Sequence, residues 1–410
     1  ISPDLTTNTD RTTLSIMNVP DKEIRIAKHD GVSTFGNLVT IAESPVKAGI
    51  LWTGSDDGVV SVSRNGGEDW TNVTARFPGV PKWTYVSKVA PSRFAEGTAY
   101  VTFDGHRGGD YGTYAFATTD LGNTWQSIAG NLPKGEVVRT ITEDLKNGDV
   151  LYLGTETGLW VSLDRGRQWM RIRGNLPTVP VYEIALHPRD NDMLLATHGR
   201  AIWILDDLTP FQQWAKSETT AAYAFDPARA TAFNQANDQM KRFEGDRLFL
   251  GPNPPAGTAL SYRLKAEAKD VKWTIRDSAN IVVREISGNG MKDRNKAGFN
   301  TVQWDLRHQP LAPLRNQPQG QGGGGGGFGG GGNNGPFVLP GTYRATLTVA
   351  GADANIVNVV VTGDPAIEMT GADRKTWHDT ALALHRMQGK ANELGDQVNE
   401  AWSRFEVIQQ

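Results

Sequence analysis

Apolar and polar residues alternate in short runs along most of the chain. Glycine, proline, asparagine and aspartate break the runs, and this period of two predicts half-buried β-strands joined by tight turns. The runs come in groups. The first occupies 36–42, 49–54, 59–63 and 70–74, the second 86–90, 99–103, 113–118 and 125–129, and the third 137–143, 150–154, 158–163 and 169–173. A fourth group begins at 181–187 and continues through 193–197 and 201–205. A different all-β pattern follows at 247–251, 259–266, 271–277, 281–286, 299–306, 341–349 and 355–361, which argues a sandwich. The period then lengthens: Leu384, Met387, Ala391, Leu394, Val398, Ala401, Phe405 and Ile408 alternate steps of three and four, the seam of a heptad helix. Thr370 and Asp373 have the spacing of a capping box at its start. Gly389 and Gly395 each weaken such a helix by about 1 kcal/mol against Ala, so the seam is expected to need a packed partner for 373–410. A return helix beyond the end, another subunit and the body of the protein are the alternatives.

A turn motif recurs between the third and fourth runs of each group. It reads Ser63, Asn65, Gly67, Trp70, then Thr118, Asp120, Gly122, Trp125, then Ser162, Asp164, Gly166, Trp169, with the common spacing S/T-x-D/N-x-G-x-x-W. A short acid or amide and a hydroxyl can bond nearby backbone N–H groups, and the glycine supplies a positive φ. The tryptophan offers an apolar plate for packing between neighbouring sheets. The copies recur at roughly 45 to 55 residues, close to the ~40 to 50 of one four-stranded propeller blade. The fourth group has no copy.

These octapeptides resemble the Asp-box, the bacterial neuraminidase repeat, found in propellers of sialidases, of some xyloglucan-cleaving glycosidases and of sortilin-type receptors. The run from Gly54-Ser-Asp-Asp-Gly58 through Gly154-Thr-Glu-Thr-Gly158 to Ala196-Thr-His-Gly-Arg-Ala-Ile-Trp-Ile-Leu-Asp-Asp207 is similar to secreted bacterial sortilin-like or glycosyl-hydrolase-like repeat proteins. Gly251-Pro-Asn-Pro-Pro, Val271 to Asp277, Gly298 to Asp305 and Leu339-Pro-Gly-Thr-Tyr343 resemble immunoglobulin-like modules that support or attach. The expected fold class is mainly β: propeller blades in an incomplete ring at 1–215, a linker at 216–230, an immunoglobulin-like β-sandwich at 231–362, and a long helix at 363–410. A glycine-rich loop, 317–336, interrupts the sandwich. It lacks the Gly-Lys-Ser/Thr and the following helix of a phosphate cradle.

After two of the boxes the chain continues as Ile128-Ala-Gly-Asn-Leu-Pro and Ile172-Arg-Gly-Asn-Leu-Pro, and Ile1-Ser-Pro-Asp-Leu-Thr aligns with both. That register expects a tryptophan before Ile1, hence a start inside a blade, with further blades and a signal peptide upstream. An exported setting, secreted or periplasmic, follows from the resemblance.

Composition narrows the function classes. Across 410 residues the net charge is −3, which gives no reason to expect nucleic acid or an anionic membrane as partner. There is no cysteine, so disulfides and thiol catalysis are excluded. No apolar run reaches the ~18 residues of a membrane span. No metal or cofactor motif stands out: the seven histidines lack ligand spacing, and His378 and His385, two helical turns apart, read as surface patterning.

A glycosidase needs paired carboxylates. Asp56, Asp57, Glu156, Asp206 and Asp207 lie near strand ends, where turns want such residues for backbone reasons. Arg139, Arg173 and Arg200 could supply the cations of a sialidase-type site. No motif assigns a catalytic residue. The ligand-binding candidates are Asp104, His106 and Arg107, in an insertion that continues to Tyr111 and Tyr114, and His198 and Arg200 at a tight turn. The first functional reading is an exported module that binds or assembles a protein or peptide, as the sortilin likeness implies. The second is a glycoside hydrolase acting on extracellular glycans, and the third is a structural subunit of an envelope complex.

Overall fold

The computed structural model describes residues 2–16, 18–24, 35–233, 255–312 and 334–409. The chain divides into two compact units, Ile1–Trp214 and Ala215–Gln410. The expected strand at 247–251, the Gly251-Pro-Asn-Pro-Pro run except Pro255, and most of the glycine-rich loop lie outside the described residues. The fold is mainly β, with four-stranded antiparallel sheets resembling propeller blades, a curled mixed sheet and a long C-terminal helix.

In the first unit a short hairpin, β1 (Ser15–Ile16) and β2 (Val19–Pro20), precedes the blade-like sheets. The first blade is β3 (Leu38–Glu43), β4 (Leu51–Ser55), β5 (Val60–Ser63) and β6 (Thr71–Asn72). The second is β7 (Tyr85–Pro91), β8 (Ala99–Asp104), β9 (Tyr114–Thr118) and β10 (Gln126–Ser127). The third is β11 (Val138–Glu143), β12 (Leu151–Thr155), β13 (Leu159–Ser162) and β14 (Met170–Ile172). A three-stranded sheet follows: β15 (Val181–Leu186), β16 (Met193–Thr197) and β17 (Ile202–Leu205). Every pairing within these sheets is antiparallel between sequence neighbours, as short connections require.

The cores lie between successive sheets. Trp52, Val60 and Val62 of the first blade pack with Val86, Phe103, Phe116 and Trp125 of the second. Tyr100 and Ala115 of the second pack with Ile141, Leu153 and Trp169 of the third, and Tyr152 and Val161 of the third pack with Val181 and Leu195 of the last. Trp125 stacks on Phe77 at 4.3 Å between ring centres and meets Trp52 edge-on at 5.8 Å. Burying one such ring stabilises by about 2–3 kcal/mol.

The three turn motifs share one bonding scheme. Ser162 Oγ donates to Asp164 Oδ1 at 2.8 Å and accepts from Gly166 N at 2.7 Å, while Asp164 Oδ1 accepts from Gln168 N at 2.9 Å. Thr118, Asp120, Gly122 and Thr124 make the same contacts at 2.8, 3.0 and 2.9 Å. Ser63, Asn65, Gly67 and Asp69 make them at 3.0, 2.8 and 2.9 Å. Gly122 sits at φ +77° and Gly166 at +83°, conformations that a side chain would strain. Asn131, in the run after the second motif, clasps the Trp169 backbone from the neighbouring blade through bonds of 2.7 and 2.9 Å.

The division between the units falls within α1 (Thr209–Glu218). In the second unit β18 (Ala222–Ala224) joins a three-stranded sheet with β20 (Thr258–Leu264) and β23 (Gly298–Trp304). A mixed five-stranded sheet is ordered β19 (Ala230–Ala232), β25 (Ala352–Gly363), β24 (Gly341–Val349), β21 (Val271–Arg276) and β22 (Val282–Ile286). Leu260, Tyr262, Val302 and Trp304 of the smaller sheet share one core with Trp273, Ile275, Leu347 and Val359 of the larger. Tyr262–Trp273 and Trp304–Tyr343 make edge-to-face contacts across it.

The stretch expected to be a linker, 216–230, instead holds the end of α1, strand β18 and the first residue of β19. Its alanines give no alternation to read. The strand is fixed by Asn355, whose side chain accepts from Ala224 N and donates to Ala224 O, both at 2.7 Å. The C-terminal helix α2 spans Gly371–Gln409. Thr370 Oγ1 caps it by accepting from Asp373 N at 3.1 Å and donating to Asp373 Oδ2 at 2.6 Å.

Candidate functional site

In an antiparallel meander alternate turns fall at opposite ends of the sheet. The S/T-x-D/N-x-G-x-x-W turns, between third and fourth strands, therefore share one end with the turns between first and second strands. The segment entering each first strand and the turn between second and third strands share the other. Asp104, His106, Arg107, Glu156 and His198 all occupy that second end.

One residue is extra near the start of every first strand. Register slips between Leu38 and Thr40, Val86 and Lys88, Val138 and Thr140, and Val181 and Glu183, so Val39, Ser87, Arg139 and Tyr182 are equivalent bulge positions. A bulge re-aims its side chain. In the third blade it places a buried guanidinium: Arg139 is 5% exposed. Its Nη1 donates to Asp104 Oδ2 from the second blade, while Nη2 and Nε donate to Glu156 Oε2 at 2.5 and 2.9 Å. The guanidinium also lies 4.7 Å from the centre of the Tyr182 ring.

The five candidate binding residues divide around this cation. Asp104 touches it directly. His106 Nδ1 lies 2.7 Å from Asp104 Oδ1 and 3.2 Å from Arg139 Nη1, and the His106 backbone N–H donates to Asp104 Oδ1 at 3.0 Å. His198 stands with its ring 5.3 Å from that of Tyr182. Arg107 points elsewhere, over the Tyr85 ring at 5.5 Å, and Lys82 Nζ lies 4.5 Å over Trp83. Arg200 is exposed, and its carbonyl accepts from Trp203 Nε1 at 2.9 Å. Arg173 is exposed as well.

The insertion is an ordered loop. Asp110 accepts from Gly112 N and from Tyr114 Oη, both at 2.8 Å, and burial with that second bond pushes the Tyr114 phenol up to about 12. Burial also raises the Tyr85 phenol, against the pull of Arg107. Tyr111 at the loop tip is exposed. Trp83 is half-exposed and holds φ +67°, a left-handed conformation rare for so bulky a residue.

Of the carboxylates considered for acid–base work, Asp56, Asp57, Glu156 and Asp207 are engaged. Asp56 accepts from Gly36 N and Asn37 N at 2.8 Å and from Asn37 Nδ2 at 3.0 Å. Asp57 accepts from Thr7 N and Oγ1 at 2.7 Å and from Ser55 Oγ. Asp207 Oδ1 accepts from Thr209 N at 3.0 Å and Oγ1 at 2.5 Å, after β17 and so at the opposite end of its sheet from His198. Burial and then the neighbouring Asp192 and Asp207 raise the Asp206 carboxyl.

A cleft of about 550 Å³ opens between the second and third blades and is lined in part by Tyr100, Gln126, Glu143, Arg165 and Arg167. Burial pushes Glu143 up, but its oxygens accept from Ser92 Oγ, Arg93 N and Tyr100 Oη at 2.6–3.1 Å. It acts there as a tie between blades.

Among the described residues no group of three or more His, Asp or Glu could hold a metal ion, and no helix is long and apolar enough to cross a membrane. His378 is no surface residue: it is 8% exposed, with Nε2 3.0 Å from His308 Nε2. His385 Nε2 lies 2.9 Å from Gln309 O.

Arg139, Tyr182 and Glu156 did not stand out as a cluster from the sequence. The available signal was the repeated apolar–x–polar start of the four first strands: Leu38-Val39-Thr40, Val86-Ser87-Lys88, Val138-Arg139-Thr140 and Val181-Tyr182-Glu183.

No protein-family model and no curated protein matches the chain. Among solved structures it is similar to a GH74 enzyme of Niastella koreensis, at 17% identity and TM-score 0.33 over 43% of this chain and 24% of that one. YCF48 bound to D1 peptide is similar at 15% identity and TM-score 0.31, over 41% of this chain and 51% of that one. The GH74 xyloglucanase from Xanthomonas campestris is similar at 13% identity and TM-score 0.34, over 78% of this chain and 44% of that one. The chain thus spans 24 to 51% of the length of these three proteins.

Proposed function

We propose that the first unit is an exported binding or assembly module, secreted or periplasmic, that holds an acidic protein segment or peptide at the loop-rich end of its blades. One observation carries this reading. The buried cation, Arg139, is already neutralised by Asp104 and Glu156, whereas Arg107 and Lys82 are exposed and held over the Tyr85 and Trp83 rings. Cations held over aromatic rings can engage a partner's carboxylates, and Arg107 with Tyr85, Trp83 and the exposed Tyr111 are of the residue types that dominate protein recognition. Four of the five candidate carboxylates, Asp56, Asp57, Glu156 and Asp207, are held by hydrogen bonds or an ion pair, and Asp206 follows β17 at the end of its sheet opposite His198, which weighs against a facing acid–base pair at the loop-rich end.

A glycoside hydrolase is the second reading. It is favoured by the same exposed Trp83 and Tyr111 rings, which can stack on sugar faces. Fluorescence anisotropy with labelled acidic, neutral and basic peptides separates the two, run beside release of reducing ends from a mixed glycan panel. The binding reading expects the acidic set to bind, and the Arg107→Ala and Lys82→Ala changes together to weaken it at least about 10-fold. Absence of binding with glycan cleavage that disappears in Glu156→Gln would replace it by the hydrolase.

A further inference from the structure

Helix α2 is amphipathic with its apolar stripe outward. His378, Leu382, His385 and Gly389 form its more buried face, with His378 on His308 and His385 on Gln309. The heptad seam points the other way. Trp377, Leu384, Met387, Leu394, Val398, Trp402 and Phe405 are each between 52 and 65% exposed. Together they leave about 900 Å² of side-chain surface in water, above the roughly 300–600 Å² of the largest patch on an ordinary monomer. Doubled across a two-fold axis that area reaches about 1,800 Å², within the range of a stable specific interface.

We propose that α2 is a dimerisation helix whose occupant is the α2 of a second copy of this chain, in a parallel, in-register coiled coil. The spacing suits a self-complementary partner. Trp377, Leu384, Ala391, Val398 and Phe405 take the a positions, and Met387, Leu394 and Ala401 take d positions, so each knob meets a hole made by its own equivalents. Charge selects the parallel arrangement. Lys390 occupies a g position at the middle of the helix, so antiparallel pairing along its whole length sets Lys390 against its own copy, whereas parallel pairing sets Lys390 and Gln397 against Gly395 and Trp402 of the second copy. Arg404 is meanwhile paired with Glu400 on its own helix. This inference is independent of the binding reading of the blades.

Sedimentation velocity of the whole chain from about 1 to 100 µM tests it. The expected result is a monomer–dimer equilibrium that Leu394→Lys with Val398→Glu weakens at least 100-fold, with unchanged far-UV circular dichroism because both side chains are exposed. The chain has no cysteine, so Ala401→Cys, a seam position far from the midpoint of the helix, alone reports orientation. Mild oxidation cross-links it to a covalent dimer if the helices are parallel and in register. A monomer throughout the range, a dimer indifferent to the double change, or a dimer that Ala401→Cys does not cross-link would each overturn the proposal.

Discussion

The Arg139 guanidinium lies 4.7 Å over the Tyr182 ring, and both residues are the extra residue of a β-bulge in adjacent sheets. The bulge thus does what a regular strand could not: it turns one side chain from each first strand toward the same point. Asp104 and Glu156 complete the surroundings from two turns, so one cation links three successive sheets.

Removing that cation should be costly. Arg139→Ala leaves the buried Asp104 carboxylate with His106 but without its cation, and the expected loss is about 3 kcal/mol of unfolding free energy in urea titration. Asp104→Asn in the same chain should recover a large part of it by removing the orphaned charge. If Arg139→Ala unfolds at the wild-type midpoint, the cluster is not a structural link between sheets.

The turn motifs make a more local prediction. Ser162 is fully buried and its hydroxyl both donates to Asp164 and accepts from Gly166 N, so Ser162→Ala should destabilise by about 1–2 kcal/mol, while Ser162→Thr should retain most of the stability, as Thr118 serves in the second blade. At Asp120 the bonds from Thr124, then from Thr118 and Asn123, hold the carboxyl down at about 2. A depressed carboxyl pKa contributes stability above its unfolded value near 3.8, lost as pH falls toward 2. Asp120→Asn should therefore reduce the acid sensitivity of the first unit between those pH values, measured by tryptophan fluorescence.

What the sequence made legible was local. Ser162, Asp164, Gly166 and Trp169 lie within one turn, and the seam of α2 repeats within one helix, so period and spacing suffice to read both. The Arg139 cluster joins residues from separate strands, and the apolar–x–polar start shared by the four first strands marks where each bulge falls but not which side chains meet there. The Ala222–Ala224 strand was missed for a related reason: its order comes from Asn355, far along the chain, and not from its own alternation. Asp104, His106 and His198 were legible as loop and turn residues, but their meeting through Arg139 and Tyr182 was not.

The second unit should be acid-sensitive through His308. Burial first, and then the charges of His378, His385 and Arg386, hold its imidazole down at about 4, below the ordinary 6.5; Asp277 pulls the other way. The folded protein therefore takes up this proton only near pH 4, whereas the unfolded chain takes it up near 6.5. Stability is full above pH 6.5 and falls between 6.5 and 4, by about 1–2 kcal/mol once solvent screening is allowed for. His308→Gln should flatten that part of the profile, read as the urea midpoint at pH 7.5 and pH 5. An unchanged slope would show that another group carries it.

Gly154 connects the packing of the blades to the site. A Cβ there would stand 2.6 Å from Val181 O and 2.7 Å from Thr140 Cγ2, and a backbone carbonyl cannot swing aside as a flexible side chain can. Gly154→Ala should thus destabilise by about 1–3 kcal/mol. Gly108→Ala, with nothing near its Cβ, should stay within about 0.5 kcal/mol. Since Val181 directly precedes Tyr182, the strain must be relieved by moving the start of β15, and that moves the Tyr182 ring off Arg139. The double change Gly154→Ala with Tyr182→Leu should then lose less stability than the two single losses combined, because the ring contact is removed only once. Additive losses would mean that β15 holds its place and Thr140 absorbs the strain.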